Sequence, residues 1–275
     1  MSASFEPPGA MMTYKNNNKY KGTAHMLREL INSQTWLSRK FDKLLPNKYT
    51  LDGNYDYVRT FVPQYLKKNL KIYDIGGGKR PFLSVEKKHE INATVVGIDI
   101  DGNELKKAPK GAYDEVVVSD ISKCNDSNKA DLLICQAVLE HVKDVESAFK
   151  AISGILKPGG TALIFVPSRN AIFARLNIIL PETLKKKLLF TIFPIASERQ
   201  GFPSYYNKCT PNDFKKLASL NNLAVTEERY YFISSYFSFF FPAYLIWRLW
   251  ILLFHFFCGN QAAETFSFAL RKDNA

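Results

Sequence analysis

The chain has only four cysteines in 275 residues, Cys124, Cys135, Cys209 and Cys258, and they fall at no metal-ligand spacing. No metal site is expected from them, and Cys135, inside an apolar stretch, suits a reduced thiol in a core. The first residues hold no apolar run, so no secretory signal is expected and residues 1–19 read as a disordered tail. Acids are scarce too: 26 Asp and Glu stand against 37 Lys and Arg, a net charge of +11. That balance favours anionic partners, a nucleic acid or a negatively charged membrane, although a charge surplus is often only a solvated surface. A third glycine is also missing. Gly76, Gly77 and Gly78 are followed by Lys79, Arg80 and Pro81, so the G-x-G-x-x-G turn that seats a pyrophosphate on a helix N-terminus is absent.

What is present is a series of short apolar strands, several carrying an acid or amide at or near the carboxyl end. Lys71 to Arg80 reads KIYDIGGGKR, a strand running into a glycine turn with Asp74 just before it. Thr94 to Ile98 is a second strand, and it ends on Asp99, an acid placed to accept both hydrogen bonds of a ribose diol. The glycines let a ligand approach the backbone closely. Asp74 would repel a pyrophosphate and welcome a cation, which points to S-adenosyl-L-methionine, with its amino group and sulfonium and no phosphate. Asp114 to Ile121 is a third strand, with Asp120 placed for an adenine amino group. Ala130 to Gln136 is a fourth, buried strand leading into Ala137-Val138-Leu139-Glu140-His141-Val142. A helix, the turn Leu156-Lys157-Pro158-Gly159-Gly160 and a fifth strand, Thr161 to Val166, follow.

In this order and spacing the chain resembles the class I S-adenosylmethionine-dependent methyltransferases, in particular the branch that modifies small molecules and lipids. DIGGGKRP corresponds to the first motif, GIDID to the ribose acid, VVSDI to the adenine loop, and QAVLEHV with LKPGG to the later motifs. Arg80 departs from the pattern, standing where many members carry a glycine. The resemblance implies a Rossmann-like α/β fold: a seven-stranded sheet, mostly parallel with an antiparallel last strand, carrying apolar helical insertions. It implies cofactor contacts from Asp74, Gly76, Gly77, Gly78, Asp99, Ile100, Asp120, Ile121 and Gln136. A nucleic-acid substrate is disfavoured, because the fourth strand ends in Ile134-Cys135-Gln136 and not in Asn/Asp-Pro-Pro-Tyr/Phe, and no RNA-binding module is appended.

One methyltransferase domain over 20–275 is expected, with a helical segment at 20–70, a lid insertion at 168–209 and an apolar insertion at 230–260. Within Thr23 to Leu45, the spacing of Leu27, Leu30, Ile31 and Leu37 predicts an amphipathic helix. In the family that the chain resembles, such a segment often closes over the cofactor, and packing on the core is the plainer expectation. The lid combines apolar residues with Lys185-Lys186-Lys187, a pattern suited to an anionic leaflet and equally to a solvated lid helix. From Tyr230 to Cys258 the only Lys, Arg, Asp or Glu is Arg248. Strands are expected on either side, Leu223 to Glu228 and Thr265 to Leu270, and in this fold they pair as antiparallel neighbours. A single membrane crossing between them would tear the sheet. The run is therefore expected to be an interfacial or re-entrant element, with Tyr244, Trp247 and Trp250 at headgroup level. A buried hairpin or a dimer interface would give the same composition.

For chemistry, His141 is the candidate base, by position and by the pH range in which imidazole titrates. Related enzymes often carry Glu-His here, matched by Glu140-His141; the alternative is that His141 packs its helix while Glu140 orients a loop. Tyr205 and Tyr206 are candidates to line an acceptor pocket. The expected function is O-methylation of a small-molecule or lipid-linked acceptor, a quinone precursor or a polyprenyl-linked glycan, at the cytoplasmic side of a membrane. A catalytically silent, membrane-docked scaffold would have no need of Asp74, Asp99 and Asp120.

Overall fold

The computed structural model describes residues 21–179, 203–233 and 237–274. The expected tail at 1–19 and the lysine cluster at 185–187 lie outside the described residues. Seven strands form one sheet in the order β3-β2-β1-β4-β5-β7-β6. They are β1 (Lys71–Ile75), β2 (Thr94–Asp99), β3 (Glu115–Val118), β4 (Ala130–Gln136), β5 (Leu156–Pro167), β6 (Leu223–Tyr231) and β7 (Thr265–Lys272). β1 to β5 pair in parallel, and β7 runs antiparallel to both of its neighbours, β5 and β6. The central strands are almost continuously apolar because both of their faces are covered, as parallel sheets require.

Alternate residues feed opposite layers. Tyr73, Ile75, Val96 and Leu133 join a core with Phe149, Ile152 and Phe214, whereas Ile72, Val95, Leu132 and Ile134 join one with Tyr57, Phe61 and Phe165. Helix α1 spans Lys21–Asp42, and the short α2 spans Gly53–Asp56. α3 (Val85–Glu90) and α4 (Gly102–Lys106) cover the β1 and β2 crossovers. α5 (Val145–Ile155) starts where the Asp144 side chain accepts a hydrogen bond from the Ser147 amide, and buries Val145, Ala148, Phe149 and Ile152 at helical spacing. α6 (Ile172–Ile179) follows β5, and α7 (Pro211–Leu220) is capped by Thr210 with Pro211 in its first turn. α8 (Phe241–Cys258) fills the connection between β6 and β7, and Pro242 stands in its first turn and begins the helix.

Four expectations need correction. First, the helix after β4 begins at Val145, so His141 belongs to a separate 3₁₀ turn, Leu139–His141. Second, Tyr230 and Tyr231 belong to β6, so the apolar insertion starts after them. Third, Tyr244 and Trp247 are buried against the domain, and only Trp250 of the three aromatics is exposed. Fourth, α1 forms as expected but does not pack its apolar stripe on the core: Leu27 is 58% exposed and Leu30 56%. Its contacts are made by the polar residues Gln34, Ser38 and Asp42, one turn apart, which continue the line of Leu27 and Ile31 toward the helix C-terminus. Gln34 Oε1 accepts from the Phe241 amide at 3.0 Å, and Ser38 Oγ donates to the Ser238 carbonyl at 3.0 Å. Asp42 accepts from the Tyr244 hydroxyl and pairs with Arg248 Nε at 3.0 Å.

Arg248 is fully buried, so its remaining donors must be satisfied inside the protein. They reach the Phe232 carbonyl at 2.5 Å and the Tyr49 carbonyl at 2.7 Å. These bonds tie the middle of α8 to the end of β6 and to the loop after α1. Helix α8 therefore lies along the domain.

Candidate functional site

The carboxyl ends of β1, β2 and β4 meet at the glycine turn. Gly76 and Gly78 adopt φ of +70° and +49°, a region L-residues avoid. The neighbours are close as well. A Cβ on Gly76 would lie 2.4 Å from Val138 Cγ2, and one on Gly78 would lie 3.0 Å from Asp99 Oδ2. Neither position accommodates a side chain.

Asp74 is buried beneath this turn. Its Oδ2 accepts hydrogen bonds from the Phe82 amide at 2.8 Å and from the Tyr113 hydroxyl at 3.3 Å. Burial pushes its carboxyl up to about 6, with the charge of Asp99 adding to the rise. No cation pairs with it among the described residues. Such a carboxylate fits a positively charged ligand group and would reject a phosphate.

Asp99 ends β2 and is also largely buried, and burial raises its carboxyl above the usual range. Its Oδ1 accepts from the Asp101 amide at 2.9 Å, and its other oxygen faces Gly78. Ile100, the next residue, is exposed beside it, an apolar surface open to a flat ring. Asp120 caps the 3₁₀ turn after β3, accepting from the Ser122 amide and hydroxyl through Oδ1. The Ile121 side chain is buried in the core, which leaves its backbone as the part able to reach a cofactor. Gln136 Nε2 donates to Asn54 Oδ1 at 2.6 Å.

Sequence reasoning missed Asn54 and Tyr113. Asn54 brings the segment between α1 and β1 across the end of β4. Tyr113 lays its ring over Gly97 in the middle of β2, where an added Cβ would sit 2.8 Å from the ring. Its hydroxyl lies within reach of both Asp74 and the Gly78 carbonyl. A glycine in the middle of an otherwise β-branched strand was the available signal for such a close approach.

After β4 the chain turns sharply at Ala137, a non-glycine residue with φ of +53°. The turn aims Val138 at Gly76 and sets Glu140 and His141 just beyond it. His141 Nδ1 lies 3.0 Å from the Pro203 carbonyl and 3.2 Å from Ser204 Oγ. A carbonyl only accepts, so in the neutral ring the proton sits on Nδ1 and the lone pair on Nε2. The Glu140 side chain turns inward and is buried, and desolvation pushes its carboxyl up to about 8. Its Oε1 stands 3.8 Å from His141 Nε2, beyond hydrogen-bond reach. The Glu140 carbonyl accepts from the Tyr205 and Tyr206 amides, so this residue anchors the loop that meets His141. Tyr206 is buried, and the Lys143 ammonium lies over the Tyr205 ring. Among the described residues, no group of three His, Cys, Asp or Glu side chains could hold a metal ion.

Residues 48–228 match the family model described as a methyltransferase domain. The ubiquinone biosynthesis O-methyltransferase of Thiobacillus denitrificans is 30% identical over 139 residues, covering 48% of this chain and 58% of that protein. The enzyme of the same name from Bradyrhizobium sp. is 24% identical over 210 residues, covering 71% of this chain and 78% of that one. The chain spans about three fifths of the length of the curated relatives first matched. Among solved structures, an S-adenosylmethionine-dependent methyltransferase from Mesorhizobium loti aligns with a TM-score of 0.52 at 17% identity, covering 80% of this chain and 98% of that one. That last likeness concerns the fold alone; the family match covers most of the chain. The chain belongs to the methyltransferase domain family, whose members take a methyl group from S-adenosylmethionine.

Proposed function

We propose that the protein is an O-methyltransferase acting on a hydroxyl of a quinone-type or other lipid-linked acceptor, from the cytoplasmic side of a membrane surface. The observation that carries the enzyme reading is the pair of buried acids around a glycine turn, Asp74 without a cation and Asp99 facing Gly78. The hydroxyl-directed part is supported by the names of the curated relatives and by the fixed tautomer of His141.

S-adenosylmethionine, when bound, supplies a methyl group activated by its sulfonium. Asp99 would accept from the ribose hydroxyls, and Asp74 would face the positive amino group. Ile100 and Asp120 would border the adenine, Ile121 would contribute its backbone, and Gln136 would close the end of β4. Gly76, Gly77 and Gly78 would give the ligand its close approach to the backbone.

His141 Nε2 accepts the proton of the acceptor hydroxyl, while Nδ1–H stays on the Pro203 carbonyl and holds the ring in place. Glu140, at 3.8 Å, faces the imidazolium that results and stabilises its charge on ionisation.

The test is transfer of labelled methyl to a water-soluble catechol or hydroquinone. His141→Gln is expected to lower kcat on the order of a thousandfold and leave cofactor affinity unchanged. Full turnover by that variant would remove His141 as the base. Absence of cofactor binding by the folded wild-type chain would remove the enzyme reading itself.

A further inference from the structure

Helices α1 and α8 meet each other through polar and aromatic side chains and leave large apolar side chains exposed. In α8 the one charged residue, Arg248, is fully buried, while Ile246, Leu253, Phe256 and Phe257 are each more than half exposed. In α1, Gln34, Ser38 and Asp42 meet α8, and Met26, Leu27 and Leu30, nearer its N-terminus, are exposed. The contact between the helices combines these hydrogen bonds and the Arg248–Asp42 ion pair with the Phe41–Phe241 ring contact. Large apolar side chains left exposed together on both helices mark an interaction surface.

We infer that the outer faces of α1 and α8 form one wedge that enters a single leaflet of an anionic bilayer, with both helices lying in the plane of the membrane. This rests on the proposed function above and names the partner that would present its acceptor.

Lipid is favoured over a protein partner by two features. The outer face of α8 offers Trp250 as its one directional donor, whereas protein interfaces carry about one hydrogen bond per 100–200 Å² and a polar rim. Positive charge borders the apolar face where headgroups would lie. Between Arg28 and Lys48 the chain carries Arg28, Arg39, Lys40, Lys43 and Lys48 against Glu29 and Asp42, and Asp42 is taken up by Arg248. The Lys40 ammonium lies over the exposed Trp36 ring, a pairing of aromatic and cation suited to the interfacial zone.

A planar orientation follows from the sheet. β6 and β7 remain paired from Tyr231↔Thr265 to Leu223↔Lys272, so both ends of the α8 insertion return to the same side. Arg248 pins the middle of the helix to the Phe232 carbonyl beside them. The start of α6, the helix after β5, packs into the same small core through Ile172, and its later residues Leu176, Ile178 and Ile179 are exposed. The apolar surface thus extends from the wedge toward the elements that follow β5.

The experiment is flotation of the full chain with vesicles of phosphatidylcholine alone and of phosphatidylcholine mixed with phosphatidylglycerol, in the presence and absence of salt. Wild type is expected to float with the mixed vesicles, with tryptophan emission quenched by lipids brominated on the acyl chain. Leu253→Glu with Phe256→Glu should abolish flotation and quenching while circular dichroism and cofactor affinity stay as in wild type. Replacing Arg39, Lys40 and Lys43 by Gln should weaken binding to the anionic vesicles by about fivefold per charge removed, an effect that disappears at high salt. Failure of wild type to float would overturn the inference. So would a lipid-free dimer that the Leu253/Phe256 variant dissolves, because the face would then belong to a second copy. Methylation of the soluble acceptor that continues without vesicle binding would sink the wedge and leave the enzyme reading standing.

Discussion

The glycine turn and the α1–α8 pair both bury charge, and they do so for opposite ends. At the turn, Asp74 and Asp99 are held without a cation, so burial leaves their carboxyls raised and the site poised for something positive. In the helix pair, Asp42 and Arg248 are ion-paired at 3.0 Å and Arg248 also donates to two carbonyls, so no charge is left over for a ligand. An unfinished set of charges marks a binding site. A paired one marks structure, and here it ties α8 to α1 while the outer face of α8 stays apolar.

Removing Arg248 strikes the paired set and should have the largest effect. Arg248→Ala leaves Asp42 buried without its cation and two carbonyls without donors, with an expected loss of about 3–5 kcal/mol. Thermal unfolding should show a lowered Tm and hydrogen exchange a loosened α1. A Tm equal to wild type would mean the pair is held by something other than these bonds.

At the unfinished set, Asp99→Ala should weaken S-adenosylmethionine and S-adenosylhomocysteine on the order of a hundredfold by calorimetry, through loss of charged hydrogen bonds to the ligand. Its fold and vesicle binding should be those of wild type. Normal affinity would remove the ribose role from Asp99.

The smallest and most diagnostic effect concerns Asp74. Its folded value of about 6 lies above the ordinary 3.8, so folding favours the protonated acid. The stability it contributes to the ligand-free protein is present at low pH and declines as pH rises from about 4 through 6. Cofactor affinity should run the other way, strengthening as pH rises through about 6 and the carboxylate becomes available to a cation. Asp74→Asn should flatten the affinity profile and raise the Tm of the ligand-free protein near neutral pH. A variant that kept the wild-type pH dependence would show that Asp74 does not face the charge.

The strands were legible because each is a short apolar run; β3 ends at Val118, so Asp120 and Ile121, read as part of it, lie in the turn beyond. β4 was read to its exact ends, since the apolar run from Ala130 is bounded by Asn128-Lys129 on one side and closes on the polar Gln136 on the other.

The extent of α1's contact was not legible in this way. A period of 3.6 shows that a stripe exists and does not say how much of its length meets the protein. Gln34, Ser38 and Asp42 carried the missing information, since three hydrogen-bonding residues on one line of a helix can find partners on a neighbour. The Tyr113–Asp74 and Gln136–Asn54 contacts join residues 39 and 82 positions apart and leave no local trace. The displacement of His141 into a 3₁₀ turn follows from Ala137, whose left-handed backbone nothing in its side chain foretells.

The place of β7 within the sheet bears on how the chain comes to be assembled. β7 is the last strand in sequence, yet it sits between β5 and β6, so β6 has no partner in the sheet until β7 has been synthesised. α8 is made in the interval and leaves the ribosome before the strand that closes its domain. During that interval the helix has no finished sheet to lie along. Newly made chains would therefore meet chaperones or membrane while still one strand short, and the order of docking and completion becomes a matter of timing during translation.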